Sequence, residues 1–164
     1  MNFLEQLAAE YYGHLGYFIR TNIRFGKLPR GGYAHEIDVL AYKPGSGELI
    51  HVETSGDAAS LGRRTDKFNK KFLLTDSEYH DILQADYKSI ERVVIAGWSV
   101  NPIARPALDK PVKVILIPEF FDMIIKRIHE SDFSTSAISE NFPILRTIQM
   151  IDKYQDLSQK NQKK

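Results

Sequence analysis

His35-Glu36-Ile37-Asp38-Val39-Leu40-Ala41-Tyr42, then Pro44-Gly45-Ser46-Gly47, then Glu48-Leu49-Ile50-His51-Val52-Glu53-Thr54-Ser55: the reading of this stretch decides the fold. Two runs of strand-forming residues flank a Pro/Gly/Ser turn signal, which predicts a hairpin. Asp38 and Glu53 sit in the middle of the two runs. Aspartate is depleted inside strands, and a buried carboxylate is costly unless paired or metal-bound. Alternation puts Asp38 on the face of Glu36 and Leu40, opposite Ile37, Val39 and Ala41. It puts Glu53 on the face of His51 and Ser55, opposite Ile50, Val52 and Thr54. If the strands pair, the two carboxylates lie side by side and repel each other unless a cation neutralises them. Hard oxygen ligands of this kind select Mg²⁺ or Mn²⁺. The alternative is a pair of solvated acids on the wet face of an edge hairpin.

Outward from the hairpin, the chain alternates helical and strand patterns. Leu4, Leu7, Ala8, Tyr11 and Leu15 follow a helical period, weakened at Gly13 and stopped near Gly16. Tyr17 to Phe25 reads as a strand, and Lys27 to Gly32 as a flexible loop. Ser60 to Leu74 reads as a second helix, with Leu61, Thr65, Phe68 and Phe72 on one face. A short helix is expected within Thr75 to Ser89. The apolar runs Val93–Ala96 and Val112–Ile117 read as central strands covered on both faces. Pro102, Pro106 and Pro111 mark the loop between them. Phe120, Phe121, Ile124, Ile125 and Ile128 outline one further helix; Ile144, Ile148 and Ile151 outline another, with Pro143 near its first turn. The order predicts an α/β fold, a three-layer sandwich with a central mixed sheet flanked by helices.

Bulk properties narrow the function classes. At 164 residues the chain reads as one domain over 1–152, with a polar, lysine-rich tail over 153–164 expected to be disordered. The net charge of +1 means that any nucleic-acid contact must come from local patches. The absence of cysteine excludes disulfides, thiolate metal sites and cysteine nucleophiles. No signal peptide or membrane-length apolar run is visible, so the expected location is cytoplasmic.

A helix carrying Glu10, a strand, a strand with Asp38, a turn, a strand ending in Val52-Glu53-Thr54-Ser55 and a following helix resemble the PD-(D/E)XK nuclease superfamily, the restriction-endonuclease-like fold. The resemblance covers Glu10 to Phe72. It implies that Asp38 and Glu53 bind Mg²⁺ or Mn²⁺, with Glu10 as a third acid from the first helix, and that the activity is hydrolysis of DNA phosphodiester bonds, RNA not being excluded. It also implies a possible homodimer. The same family includes members that have lost catalysis and persist as modules binding nucleic acid or a protein partner.

One residue departs from the pattern. The motif lysine should stand two residues beyond the glutamate, and that position is Ser55. A serine hydroxyl donates a hydrogen bond but brings no positive charge to a developing phosphorane. Arg64, Lys67 and Lys71 form a stripe beside the apolar face of the second helix and could supply the cation over its edge, as in family members whose lysine has moved there. By projection, Lys71 and Arg64 lie nearest that face. Arg63, Arg64, Lys67, Lys70 and Lys71 place five cations within nine residues, and Arg20 and Arg24 share a strand face with Asn22. These are the expected phosphate contacts. Asp57 reads as a turn or cap residue. His51 shares the Glu53 face, and none of the histidines has metal spacing.

Overall fold

The computed structural model describes residues 2–56, 61–97, 108–130 and 135–162. Asp57 and the loop with Pro102 and Pro106 lie outside the described residues. The elements are α1 (Phe3–His14), β1 (Phe18–Lys27), β2 (Tyr33–Lys43), β3 (Glu48–Ser55), α2 (Leu61–Lys71), α3 (Asp76–Leu83), β4 (Ser89–Ala96), β5 (Lys113–Leu116), α4 (Ile117–His129) and α5 (Pro143–Gln162). The five strands form one mixed sheet in the order β1-β2-β3-β4-β5. β1, β2 and β3 run antiparallel, whereas β3, β4 and β5 run parallel. No helix among the described residues is long and apolar enough to cross a membrane.

Both faces of the sheet are covered. On one, α1, α4 and α5 bury Leu7, Ala8, Phe120, Ile124, Ile128 and Leu145 against Val39, Val52, Val93 and Ile95. On the other, α2 buries Phe68 and Phe72 against Val94 and Ala96, while Leu74 and Tyr79 pack with Leu40 and Leu49. Strand β3 lies between the layers, and every residue from Leu49 to Ser55 is buried. Asp38 and Glu53 are therefore not the wet face of an edge hairpin: they are 6% and 0% exposed.

The strand alternation expected around Asp38 breaks. Val39 and Ala41 pack toward α1, as the period of two requires, and Leu40 packs on the opposite face. Ile37, however, joins the Leu40 side rather than the Val39 side. Across from it on β1, Asn22 adopts a left-handed φ of 52° between Thr21↔Val39 and Ile23↔Ile37. This conformation costs a non-glycine residue about 1 kcal/mol, and asparagine tolerates it better than most. Both strands thus change face at one level, which puts Arg20 and Arg24 on opposite faces and corrects the expectation that they share one. Arg20 Nη1 donates to the carbonyl of Ile82 and ties β1 to α3, and Arg24 pairs with Glu36 at 3.1 Å.

Two further expectations change. Gly13 does not weaken α1, which runs on to His14; a Cβ there would meet the Phe142 ring at 2.8 Å, so glycine lets the chain entering α5 approach. The polar stretch expected to be disordered from residue 153 is helical as far as Gln162.

Glu10 is buried but turned away from Asp38. Its Oε2 accepts the backbone N–H groups of Ile144 at 2.8 Å and Leu145 at 3.0 Å, and its Oε1 accepts from Gln6 Nε2 at 3.1 Å. The first N–H groups of a helix have no intrahelical acceptor, and the positive end of the helix dipole favours a carboxylate there. Glu10 therefore caps α5. Glu10→Ala is expected to lower the unfolding free energy by about 1–3 kcal/mol, because one buried and one part-buried donor lose their acceptor. Urea unfolding checks this.

Candidate active site

The site lies where β2 parts from β3. The β2–β3 rungs end at Val39↔Val52, one residue short of Asp38 and Glu53. Beyond that rung the Asp38 side chain stands in for the ladder. Its Oδ2 accepts the backbone N–H of Thr54 at 2.8 Å and the Thr54 hydroxyl at 3.1 Å. This leaves Oδ1 to face the second carboxylate.

Between them stands Lys71. Its Nζ donates to Asp38 Oδ1 at 2.5 Å and also to Glu53 Oε2. Lys71 is in the last turn of α2 and lies between Phe68 and Phe72, both about 1% exposed. Those two rings hold the helix against β4 and aim the intervening lysine over the end of β3. Of the three cations in the stripe, Lys71 alone enters the carboxylate pair. Arg64 is buried in the wall, where its Nη1 donates to the carbonyl of Gly97 at the end of β4. Lys67, one turn before Lys71, is exposed and lines the cleft above the site, while Arg63 and Lys70 are exposed on the helix surface.

The electrostatics follow from burial. Glu53 is held well above the usual carboxylate range, first by desolvation and then by the charge of Asp38, with the Lys71 ammonium opposing both. Lys71 is raised above its ordinary value, because the two carboxylates outweigh its own desolvation.

Sequence reasoning missed the far side of Glu53. Its Oε1 lies 2.7 Å from His51 Nε2, and His51 Nδ1 lies 2.7 Å from the Tyr79 hydroxyl. His51 is fully buried and held well below its usual range, first by desolvation and then by Lys71, Arg92 and Lys110, so the ring is neutral. Tyr79 is pushed up to about 12 by burial, which keeps its hydroxyl protonated. With Glu53 ionised, Nε2–H donates to Glu53 and Nδ1 accepts from Tyr79. The Arg92 guanidinium stands 5.8 Å from the centre of the Tyr79 ring and completes the layer. The shared face of His51 and Glu53 was legible; Tyr79 was not, because its helix docks on β3 only in the folded chain.

A cleft of about 540 Å³ opens over Asp38 and Lys71, with Glu53 buried beneath. Its lining includes Asp38, Thr54, Ser55, Lys67 and Lys71, together with Glu5 from the first turn of α1. The α1 acid at this cleft is Glu5, not Glu10. Glu5 also forms the capping box of α1, accepting from Asn2 N at 2.9 Å. Ser55 Oγ is buried and has no hydrogen-bond partner among the described residues. Asp38 and Glu53 offer hard oxygen donors whose type and charge fit Mg²⁺ or Mn²⁺, but Lys71 Nζ occupies the position between them, so an ion there would displace the ammonium from one or both oxygens. Among the described residues no group of three or more His, Cys, Asp or Glu side chains converges on one point, so the remaining ligands of such an ion would be water and substrate. No family model matches the chain, and no match was found among curated proteins or solved structures.

Lys71→Met leaves two carboxylates facing each other without an ammonium. A group whose folded pKa is raised binds its proton more tightly in the folded chain, so its contribution to stability falls as pH rises through that value. Removing Lys71 raises Glu53 further. The variant is expected to lose about 3 kcal/mol at pH 8 and less at pH 5, where the pair shares a proton. Urea unfolding at both values checks the sign; equal losses would mean that Lys71 does not offset carboxylate charge. Tyr79→Phe removes the donor to Nδ1 and is expected to cost about 1–3 kcal/mol. Nitrogen-15 NMR of the imidazole should show a single His51 tautomer in the native chain and a mixture in this variant.

Proposed function

We propose that the protein is a Mg²⁺- or Mn²⁺-dependent phosphodiesterase of the PD-(D/E)XK type acting on DNA. One observation carries the reading: Asp38 Oδ1 and Glu53 Oε2 converge on Lys71 Nζ at the end of a mixed sheet, and Asp38 and Lys71 line an open cleft beneath which Glu53 is buried. A relocated lysine answers the serine at position 55. Asp38 and Glu53 would hold the divalent cation, which when bound lowers the pKa of a water and polarises a phosphoryl oxygen.

The chain's own residues supply the rest. Lys71 stays protonated in the raised range its partners give it, and its ammonium stabilises negative charge that builds on the phosphoryl oxygens. His51 fixes the rotamer of Glu53 through Oε1 and leaves Oε2 directed at the Lys71 ammonium. Lys67 reaches the same cleft and provides a second cation for the flanking phosphates.

Plasmid and linear DNA are expected to be cut with Mg²⁺ or Mn²⁺ and left intact with EDTA. Asp38→Ala and Glu53→Ala should abolish turnover, and Lys71→Met should lower the rate by about 10²–10³-fold. Cleavage that persists in both carboxylate variants would remove these residues from the chemistry. A second reading rests on the ammonium itself, which already neutralises the carboxylate pair. Under it the chain is an inactive module of the same fold that binds nucleic acid. Salt-sensitive DNA binding with no metal-dependent turnover would select that reading.

A further inference from the structure

The β1–β2 hairpin outruns the sheet at the end that holds the site. Its rungs continue through Ile23↔Ile37, Arg24↔Glu36, Phe25↔His35 and Lys27↔Tyr33, all beyond the last rung between β2 and β3. Tyr33 is five residues past Asp38, which at about 3.3 Å per residue projects the strand about 17 Å beyond the carboxylate. The base of this arm is anchored, since Ile23 and Ile37 pack with Leu74 and Tyr79. Its outer half is exposed from Gly26 to Ala34.

The tip is ordered and basic. Leu28 N donates to Gly32 O at 3.1 Å and Gly31 N to Leu28 O at 3.0 Å, and Gly31 and Gly32 take φ values of 90° and 83° that other residues rarely adopt. Residues 22–37 hold Arg24, Lys27 and Arg30 against Glu36, a formal +2 in a chain whose total is +1. Arg24 and Glu36 neutralise each other, so the excess is Lys27 and Arg30. The exposed surface beside them is aromatic: Tyr33 is 51% exposed, and the Phe25 and His35 rings stack at 5.0 Å.

We propose that this arm is a second DNA contact, in which Lys27 and Arg30 neutralise backbone phosphates away from the cleavage position. The inference rests on the nuclease reading for the direction in which the DNA leaves the cleft. A span of about 17 Å equals about five rises of 3.4 Å along a strand, so the contacted phosphates lie about five nucleotides from the one at Asp38. The arm does not touch the carboxylate site and acts on binding alone.

The test is fluorescence anisotropy of the full chain with a labelled 20-base-pair duplex in EDTA, from low to moderate salt. Lys27→Ala/Arg30→Ala and Lys27→Glu/Arg30→Glu are compared with the native chain after their melting temperatures are matched. The double alanine variant should bind about tenfold more weakly, with the slope of log affinity against log salt reduced by about 2. Charge reversal should weaken binding further, and the rate at saturating DNA with Mg²⁺ should be unchanged. An unchanged slope in both variants, with the native chain binding DNA, overturns the arm contact and leaves the nuclease reading standing. A reduced slope without any metal-dependent cleavage supports the arm and overturns the nuclease reading. A native chain that binds no DNA overturns both.

Discussion

The ammonium of Lys71 between Asp38 and Glu53 is the interaction on which the rest of the site depends. Two carboxylates this buried cannot both ionise side by side without a cation, since neither burial nor mutual repulsion tolerates it. Everything around them serves that constraint. Phe68 and Phe72 fix the end of α2 so that Lys71 arrives over β3. Thr54 takes one oxygen of Asp38 and His51 takes one oxygen of Glu53, so each carboxylate keeps a single oxygen for the shared cation.

The parting of β2 from β3 follows from the same arrangement. A ladder continued through Asp38 would bind Thr54 by backbone alone. Instead the side chain takes that donor, the strand swings away, and a hairpin arm is left past the sheet. Asn22 accommodates the change of face with a left-handed backbone directly across from the swing. The local cost sits beside the Asp38 carboxylate. One irregularity therefore makes both the opening over the site and the projection beyond it.

The residues of the first helix show how a correct element can carry an incorrect role. Glu10 is placed by periodicity at the edge of the apolar stripe, which is also where a residue meeting a neighbouring helix must stand. A projection gives the angle around α1 and not the neighbour. That neighbour is the N-terminus of α5, from a segment more than 130 residues away, and its unpaired N–H groups take the carboxylate. Glu5, which lines the cleft, is held locally, in the capping box with Asn2.

What the sequence determined by itself was the set of elements and the pair of carboxylates, because both are written in local patterns. The turn at Pro44–Gly47, the alternation on each side and two acids within apolar runs specify a hairpin with a charge problem at its centre. The stripe on α2 narrowed the answer to a few cations. Only the tertiary structure decided among them, since Arg64, Lys67 and Lys71 differ by which neighbour each meets: a β4 carbonyl, the cleft, or the carboxylates. It also supplied Tyr79 behind His51 and α5 above Glu10. Long-range partners of this kind leave no periodic trace, because the energy that fixes them comes from desolvation and pairing after the layers have packed.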